Sequence, residues 1–154
     1  MVRLAPMPDR EREEWLVVTW ADYRTQLLST GYTPEEASSN IEQNQSALFV
    51  DGVPNESQNF FDIMNDELRV GSLWLASRQE RSAGEWYVYD IVIADEFRSQ
   101  GFGRAAMRAA EDYVKSQGGT KLALNVFGPN KVARGLYESL GYSTMAIEMR
   151  KDLV

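Results

Sequence analysis

The chain has 154 residues, 44% of them hydrophobic and 25% charged, which predicts one globular domain over residues 1–154 with a core of its own. It contains no cysteine and no histidine, so disulfides and thiol catalysis are excluded, no metal is expected, and acid–base chemistry falls to Asp, Glu, Tyr, Lys, a terminus or water. The net charge of −7 argues against nucleic acid as a partner and suits a cationic substrate such as an amine, and with neither a signal peptide nor a bilayer-length apolar run the expected setting is cytoplasmic, with no membrane partner.

Residues 2–7 read as a first strand, closed by Pro6 and Pro8. Asp9 suits the N-cap of a helix over residues 10–28, with Leu16, Trp20, Tyr23 and Leu27 on one face. Gly31 ends it. Thr33, Pro34 and Glu36 then form a helix start: a cap, a first-turn proline and a capping-box partner. That second helix, to about residue 47, has a polar body (Ser38, Ser39, Asn40, Gln43, Asn44, Gln45), which fits either an exposed helix or a lid. Residues 51–55 read as a loop. Strands over 60–64 and 68–76 flank a turn at Asn65-Asp66-Glu67, and after a polar turn at 77–84 comes a third strand over 86–93.

Next come Gly101 and Gly103, at the head of a helix with Phe102, Ala106, Ala109 and Tyr113 at helical spacing. Free N–H groups and the positive end of the helix dipole meet there, flanked by Arg98 and Arg104, so the place suits a phosphate. Gly118-Gly119 stops the helix. Residues 121–127 form a strand that Gly128-Pro129 breaks. Asn130 caps a helix with Val132, Ala133, Leu136, Tyr137 and Leu140 on its apolar side. Gly141 ends it, and residues 142–149 read as a last strand. The order is β-α-α-β-β-β-α-β-α-β. Its three consecutive strands form antiparallel hairpins, and the central helix is a crossover between parallel strands. The expected fold class is α/β (α+β), a mixed central sheet with helices on both faces.

The glycine loop departs from the dinucleotide fingerprint at Ala106, where the third glycine would stand, although an alanine is sometimes allowed there. The antiparallel strands before it argue against a nucleotide-binding domain of consecutive parallel strands, and no Gly-Lys-Ser/Thr follows as in a Walker loop. Arg98-x-x-Gly101-x-Gly103 instead resembles the Arg/Gln-x-x-Gly-x-Gly/Ala signature of the GNAT acetyltransferase superfamily, whose loop wraps the pyrophosphate of acetyl-CoA. Asn130, Ala133, Leu136-Tyr137 and Gly141-Tyr142 resemble that superfamily's second hallmark, in the same order and spacing. The element order also matches, so the resemblance covers nearly the whole chain.

The resemblance implies transfer of an acetyl group from acetyl-CoA to a primary amine, on a small molecule or on a protein or peptide, and allows a homodimer. It implies that the backbone of Ile91, Val92 and Ile93 pairs with the pantetheine arm, which requires the central strand and the strand after it to splay apart. It implies that the amides of Ser99, Gln100, Gly101, Phe102, Gly103 and Arg104, with Arg98 beside them, hold the pyrophosphate. Asn130 would bond the cosubstrate near its pantetheine–cysteamine part besides capping its helix. Tyr137 would protonate the leaving thiolate, and a backbone amide near Ile93 would hold the oxyanion. In many members the base is a glutamate on the central strand. Here that position holds Tyr87, which leaves Glu85, Asp90 or water. Glu85 shares the relevant side of the strand by alternation, and Asp90 has the opposite parity unless a bulge intervenes. The competing reading is an idle acyl-CoA-binding module that senses cosubstrate or modulates a partner.

Overall fold

A computed structural model describes residues 1–154. Five strands form one mixed sheet: β1 (Val2–Pro6), β4 (Gln58–Asn65), β5 (Leu68–Ser77), β6 (Glu85–Ile93) and β7 (Lys121–Leu124), in spatial order β1-β4-β5-β6-β7. Each of the first four is antiparallel to its neighbour, and β6 and β7 are parallel. Helix α3 (Phe102–Ser116) makes the crossover between those two, as a parallel pair requires. Helices α1 (Asp9–Ser29), α2 (Pro34–Leu48) and α4 (Lys131–Ser139) complete the chain, with a small hairpin of β2 (Phe49–Val50) and β3 (Val53–Pro54) after α2. That hairpin replaces the expected loop at 51–55; Asp51 and Gly52 both have positive φ and make its tight turn. No helix is long and apolar enough to cross a membrane.

Each face of the sheet has its own core. On one side Ala106, Met107, Ala110 and Val114 of α3 pack on Phe61, Ile63, Val70, Leu73, Leu75, Trp86 and Val88. The small residues let α3 lie close to the sheet. The buried stripe of α3 centres on these four, so Ala109 is only half-buried and Phe102 and Tyr113 flank it. On the other side Phe60 and Trp74 meet Met7 and Leu48, with Trp15, Leu16, Trp20, Phe49 and Tyr89 around them. Phe60 and Trp74 stack at 5.0 Å.

Helix α2 is fastened rather than free. Its capping box is formed as the sequence predicts, with Glu36 N–H donating to Thr33 Oγ1. Its polar body faces α1: Tyr23 Oη donates to Asn40 Oδ1 at 2.8 Å, and Arg24 donates to Ser38 Oγ at 2.8 Å. Ala37 is fully buried between them.

Other expectations need correction. The strand expected over 121–127 ends at Leu124. Pro8, not Asp9, occupies the N-cap of α1; Asp9 sits in the first turn and pairs with Arg12 at 2.9 Å. Val132 is exposed, and α4 buries only part of its expected apolar side, Ala133, Leu136, Tyr137 and Leu140 being half-buried. Residues 142–149 form no ladder: after Gly141, at φ 97°, the chain takes no regular secondary structure, and residues 143–149 are exposed.

Candidate active site

The site begins with the way β6 is paired. Up to Val88 it has a neighbour on both sides, β5 and β7. The ladder with β7 ends at Val88–Leu124, and from Tyr89 to Ile93 only β5 is paired. The strands therefore splay where the resemblance required. Ala94 N–H donates to Val70 O at 2.9 Å, and Val92 O lies against Gly71, so these groups aim at β5. By alternation the N–H and C=O of Ile91 and Ile93 aim into the open gap. Arg98 reaches Ile93 O from that side at 3.1 Å.

A bulge lies where the second pairing stops. Trp74 pairs with Asp90 and Leu75 with Val88, which leaves Tyr89 as an extra residue. The consequence is a switch of parity. Trp86 and Val88 face α3, and so do Ile91 and Ile93 beyond the bulge. Tyr89 packs on the opposite core, its ring 4.7 Å from Tyr87 and 5.0 Å from Trp74. Asp90 follows it out of the α3 face.

The carboxyl of Asp90 is partly buried, and burial pushes its pKa up from 3.8 to about 6. The Ile91 backbone amide pulls the other way, and the negative charge of Asp22 on α1 adds to the rise. Tyr137 on α4 is also raised, first by burial and then by the charge of Asp90. Its hydroxyl stays protonated well above neutral pH. The structure thus brings Asp90 and Tyr137 into one electrostatic neighbourhood. Glu85 is elsewhere: it sits at the start of β6 with Arg78 Nε at 3.6 Å, both side chains largely buried. Arg78 also lies over the Tyr87 ring at 4.1 Å.

The gap leads to the head of α3. Asp95–Phe97 form one turn of 3-10 helix, then Ser99 and Gly101 both take left-handed φ values, 61° and 85°. No side chain caps α3, and the first intrahelical amide bond runs from Ala105 N–H to Gly101 O. The preceding amides are free to meet an anion. Gly101 has open space where a β carbon would stand, whereas one on Gly103 would touch Leu136 at 3.4 Å. Gly101 shapes the loop, and Gly103 admits α4. Arg98 is held by Asp95 at 3.0 Å, and Arg104 donates to Ser139 Oγ at 2.6 Å. Gln100 donates to Glu96 O at 3.2 Å. Asn130 caps α4, accepting from Ala133 N–H at 3.2 Å.

On the far side of the sheet from α3, Tyr23 approaches Phe127 at 6.2 Å, and Tyr87 and Tyr89 lie beside them with α1 overhead. The sequence pattern does not single out Tyr23, Asp22 or Phe127 as neighbours of the gap. Their signal is tertiary, since helix α1 and the segment after β7 meet only in the fold.

The comparisons agree with this geometry. The model of the acetyltransferase (GNAT) family matches residues 11–142. The uncharacterized N-acetyltransferases YycN and YdgE of Bacillus subtilis (strain 168) are each 29% identical, over 99% of both chains for YycN and 97% of both chains for YdgE. The crystal structure of YycN aligns over 100% of this chain and 99% of its own, with a TM-score of 0.89 and 28% identity. AAC(6')-Iy, in complex with the bisubstrate analog CoA-S-monomethyl-acetylneamine, aligns over 99% of both chains with a TM-score of 0.58 at 17% identity, a likeness of fold alone. The splayed β6–β7 gap and the uncapped head of α3 thus stand in a chain that belongs to the GNAT family of acetyltransferases, enzymes that use acetyl-CoA.

Proposed function

We propose that the chain transfers the acetyl group of acetyl-CoA directly to a primary amine, with Asp90 as the base and Tyr137 as the acid. The observation that carries this reading is the bulge at Tyr89, which puts Asp90 on the face away from α3, near enough for its charge to raise the pKa of Tyr137.

The fold's own features fit the cosubstrate. The unpaired edge at Ile91 and Ile93 offers backbone groups to an extended amide-bearing arm, as an added strand would use them. The free amides at the head of α3, from Ser99 to Arg104, suit a pyrophosphate. Acetyl-CoA supplies the activated acetyl thioester. An alkylammonium acceptor must lose one proton before its nitrogen can attack and a second as the C–N bond forms. Asp90, with a pKa of about 6, is ionised at neutral pH and takes the first, and the second leaves to water. As the new C–N bond forms and the C–S bond breaks, the Tyr137 hydroxyl gives its proton to the departing sulfur. Its raised pKa keeps that proton in place until then. The free amide of Ile93 is the donor for the carbonyl oxygen. Asp22 and the tyrosines on the α1 side suit an acceptor that arrives as a cation.

The test is calorimetric titration with acetyl-CoA, followed by thiol release across amine classes. Binding with turnover on one class supports the proposal and names the acceptor. Absence of binding at about millimolar cosubstrate, an affinity under roughly 4 kcal/mol, overturns it.

A further inference from the structure

We infer, on the acetyl transfer proposed above, that the amine acceptor also carries a carboxylate and that Arg78 receives it. Arg78 follows the last residue of β5, and its side chain is only 13% exposed. It is nevertheless poorly bonded. Its Nε stands 3.6 Å from Glu85 Oε2, beyond hydrogen-bond length. That oxygen is itself buried without a hydrogen-bond partner. The guanidinium lies instead over the Tyr87 ring at 4.1 Å. A guanidinium offers five N–H donors in one plane, and two parallel ones grip a carboxylate. At 3.6 Å that two-pronged bond to Glu85 is not made. Arg78 is thus matched in charge and left short of acceptors, a costly state for an enclosed cation unless a ligand completes it.

Its place relative to Asp90 fixes what that ligand is. Burial raises the pKa of Tyr87 and of Tyr89, and on each the positive charge of Arg78 is the largest opposing pull. Arg78 therefore stands beside both tyrosines. Their rings are 4.7 Å apart on the face of the sheet away from α3, the face that also carries Asp90. One row runs along β6: Arg78 over Tyr87, then Tyr89, then Asp90. Its two ends differ in charge. Asp22 acts on Asp90 at one end, and exposed Arg81 joins Arg78 at the other. A zwitterion matches this row in one orientation only, with its ammonium at Asp90, where the proposed chemistry needs it.

The spacing excludes a short acceptor. Tyr87 and Asp90 are three residues apart, roughly 10 Å along a strand at about 3.3 Å per residue, and the bulge shortens this. An α-amino acid bears both charges on one carbon and cannot reach both ends. At about 1.5 Å per carbon–carbon bond, a chain of about five methylenes can. Glu80 and Glu85 also act at the arginine end, so a single carboxylate suits that corner better than a dianionic phosphate. The acceptor class is an ω-amino carboxylate.

The test compares thiol release at saturating acetyl-CoA for three amines. They are 6-aminohexanoate, hexylamine, which lacks the carboxylate, and 1,5-diaminopentane, which has a second ammonium in its place. In the unmodified chain kcat/KM should favour 6-aminohexanoate by about tenfold to hundredfold, the worth of a charged hydrogen-bonded pair. Arg78→Gln should bring that preference close to one, chiefly through KM, with acetyl-CoA affinity within about twofold. Arg78→Lys keeps a cation beside Glu85 without the fork, so it should fold as the parent does and lose part of the preference. Equal or better turnover of hexylamine or 1,5-diaminopentane by the unmodified chain overturns the carboxylate site and leaves acetyl transfer standing. A folded Arg78→Gln chain that keeps the preference does the same. If no amine is acetylated, calorimetric titration of 6-aminohexanoate into the CoA-loaded chain decides. Binding that Arg78→Gln abolishes supports the site although the proposed chemistry has failed, and absence of binding overturns both.

Discussion

The two halves of β6 are made of similar residues and behave differently. From Glu85 to Val88 the strand is paired on both sides, and its charged side chain, Glu85, is matched by Arg78. From Tyr89 to Ile93 it has one neighbour, and its charged side chain, Asp90, has no cation beside it and an elevated pKa. Stability is concentrated in the first half. The second keeps unpaired backbone groups and a carboxylate that pays a desolvation cost, as expected where a strand is left open for a ligand. One inserted residue, Tyr89, separates the two regimes.

Substitutions in the second half should therefore damage catalysis more than folding. The largest effect is expected from Tyr137→Phe. Loss of a positioned acid lowers turnover by roughly 10²–10⁴-fold, while the calorimetric affinity for acetyl-CoA stays within about twofold. Turnover equal to the parent would remove Tyr137 from the chemistry. Asp90→Asn comes next. Turnover should fall by about 10²-fold, with water left as the proton acceptor. In the parent, kcat should rise with pH through a limb near 6, because only the ionised carboxylate accepts a proton. A limb that persists in the asparagine variant would assign it to another group.

The same variant separates function from stability. The folded pKa of Asp90 lies above its ordinary value, so folding favours the neutral form. Its contribution is fully favourable below about pH 4 and is lost as pH rises through 6. Asp90→Asn should thus match the parent at pH 3.5 and exceed it at pH 8. The shift from 3.8 to about 6 corresponds to a gain of about 3 kcal/mol at most. Urea unfolding at the two pH values reads this directly. Equal stabilities at pH 8 would mean that the site is wetter than the structure implies.

Gly101→Ala acts on the same open half with a smaller effect. A β carbon there meets nothing within 4 Å, so the cost is that of holding φ at 85°, about 1–2 kcal/mol for a non-glycine residue. If the loop relaxes to escape it, the amides before α3 turn away and acetyl-CoA affinity drops about fivefold to tenfold. Unchanged affinity would place the pyrophosphate elsewhere.

The contrast within β6 also marks what the sequence could tell. Features held by local chemistry were legible. The capping box at Thr33, the glycine loop before α3, the Asn130 cap and the crossover order each depend on a few adjacent residues. The spacing of Asn130, Tyr137 and Gly141 identified the family for the same reason. The bulge was not legible, because Tyr89 is as good a strand residue as Tyr87, and only the register against Trp74 and Leu75 shows it as extra. Alternation alone therefore set Glu85 and Asp90 on opposite faces. Arg78 opens the turn that joins β5 to β6, where its amide donates to Glu85 O at 2.9 Å, and the side-chain pairing follows from a hairpin register that the turn's residues alone do not specify. The final strand failed for a different reason. Its alternating pattern is present at 145, 147 and 149, but a strand also needs a paired edge, and residues 143–149 make no backbone hydrogen bond within the chain.

Glu85→Gln is the sharpest probe of the paired half because it should do the reverse of Asp90→Asn. Glu85 and Arg78 are 13–16% exposed at 3.6 Å, and the amide leaves the guanidinium without a countercharge in that enclosed place. Removing one member of such a pair costs about 1–3 kcal/mol when the shape is kept, so urea unfolding at pH 7 should show a loss. Turnover, by contrast, should change by less than about threefold, since no proton passes through Glu85 in the proposed chemistry. The pH limb near 6 should stay where it is. A large loss of turnover with the limb abolished would exchange the roles of the two carboxylates. The catalytic half of the strand would then begin before the bulge rather than after it.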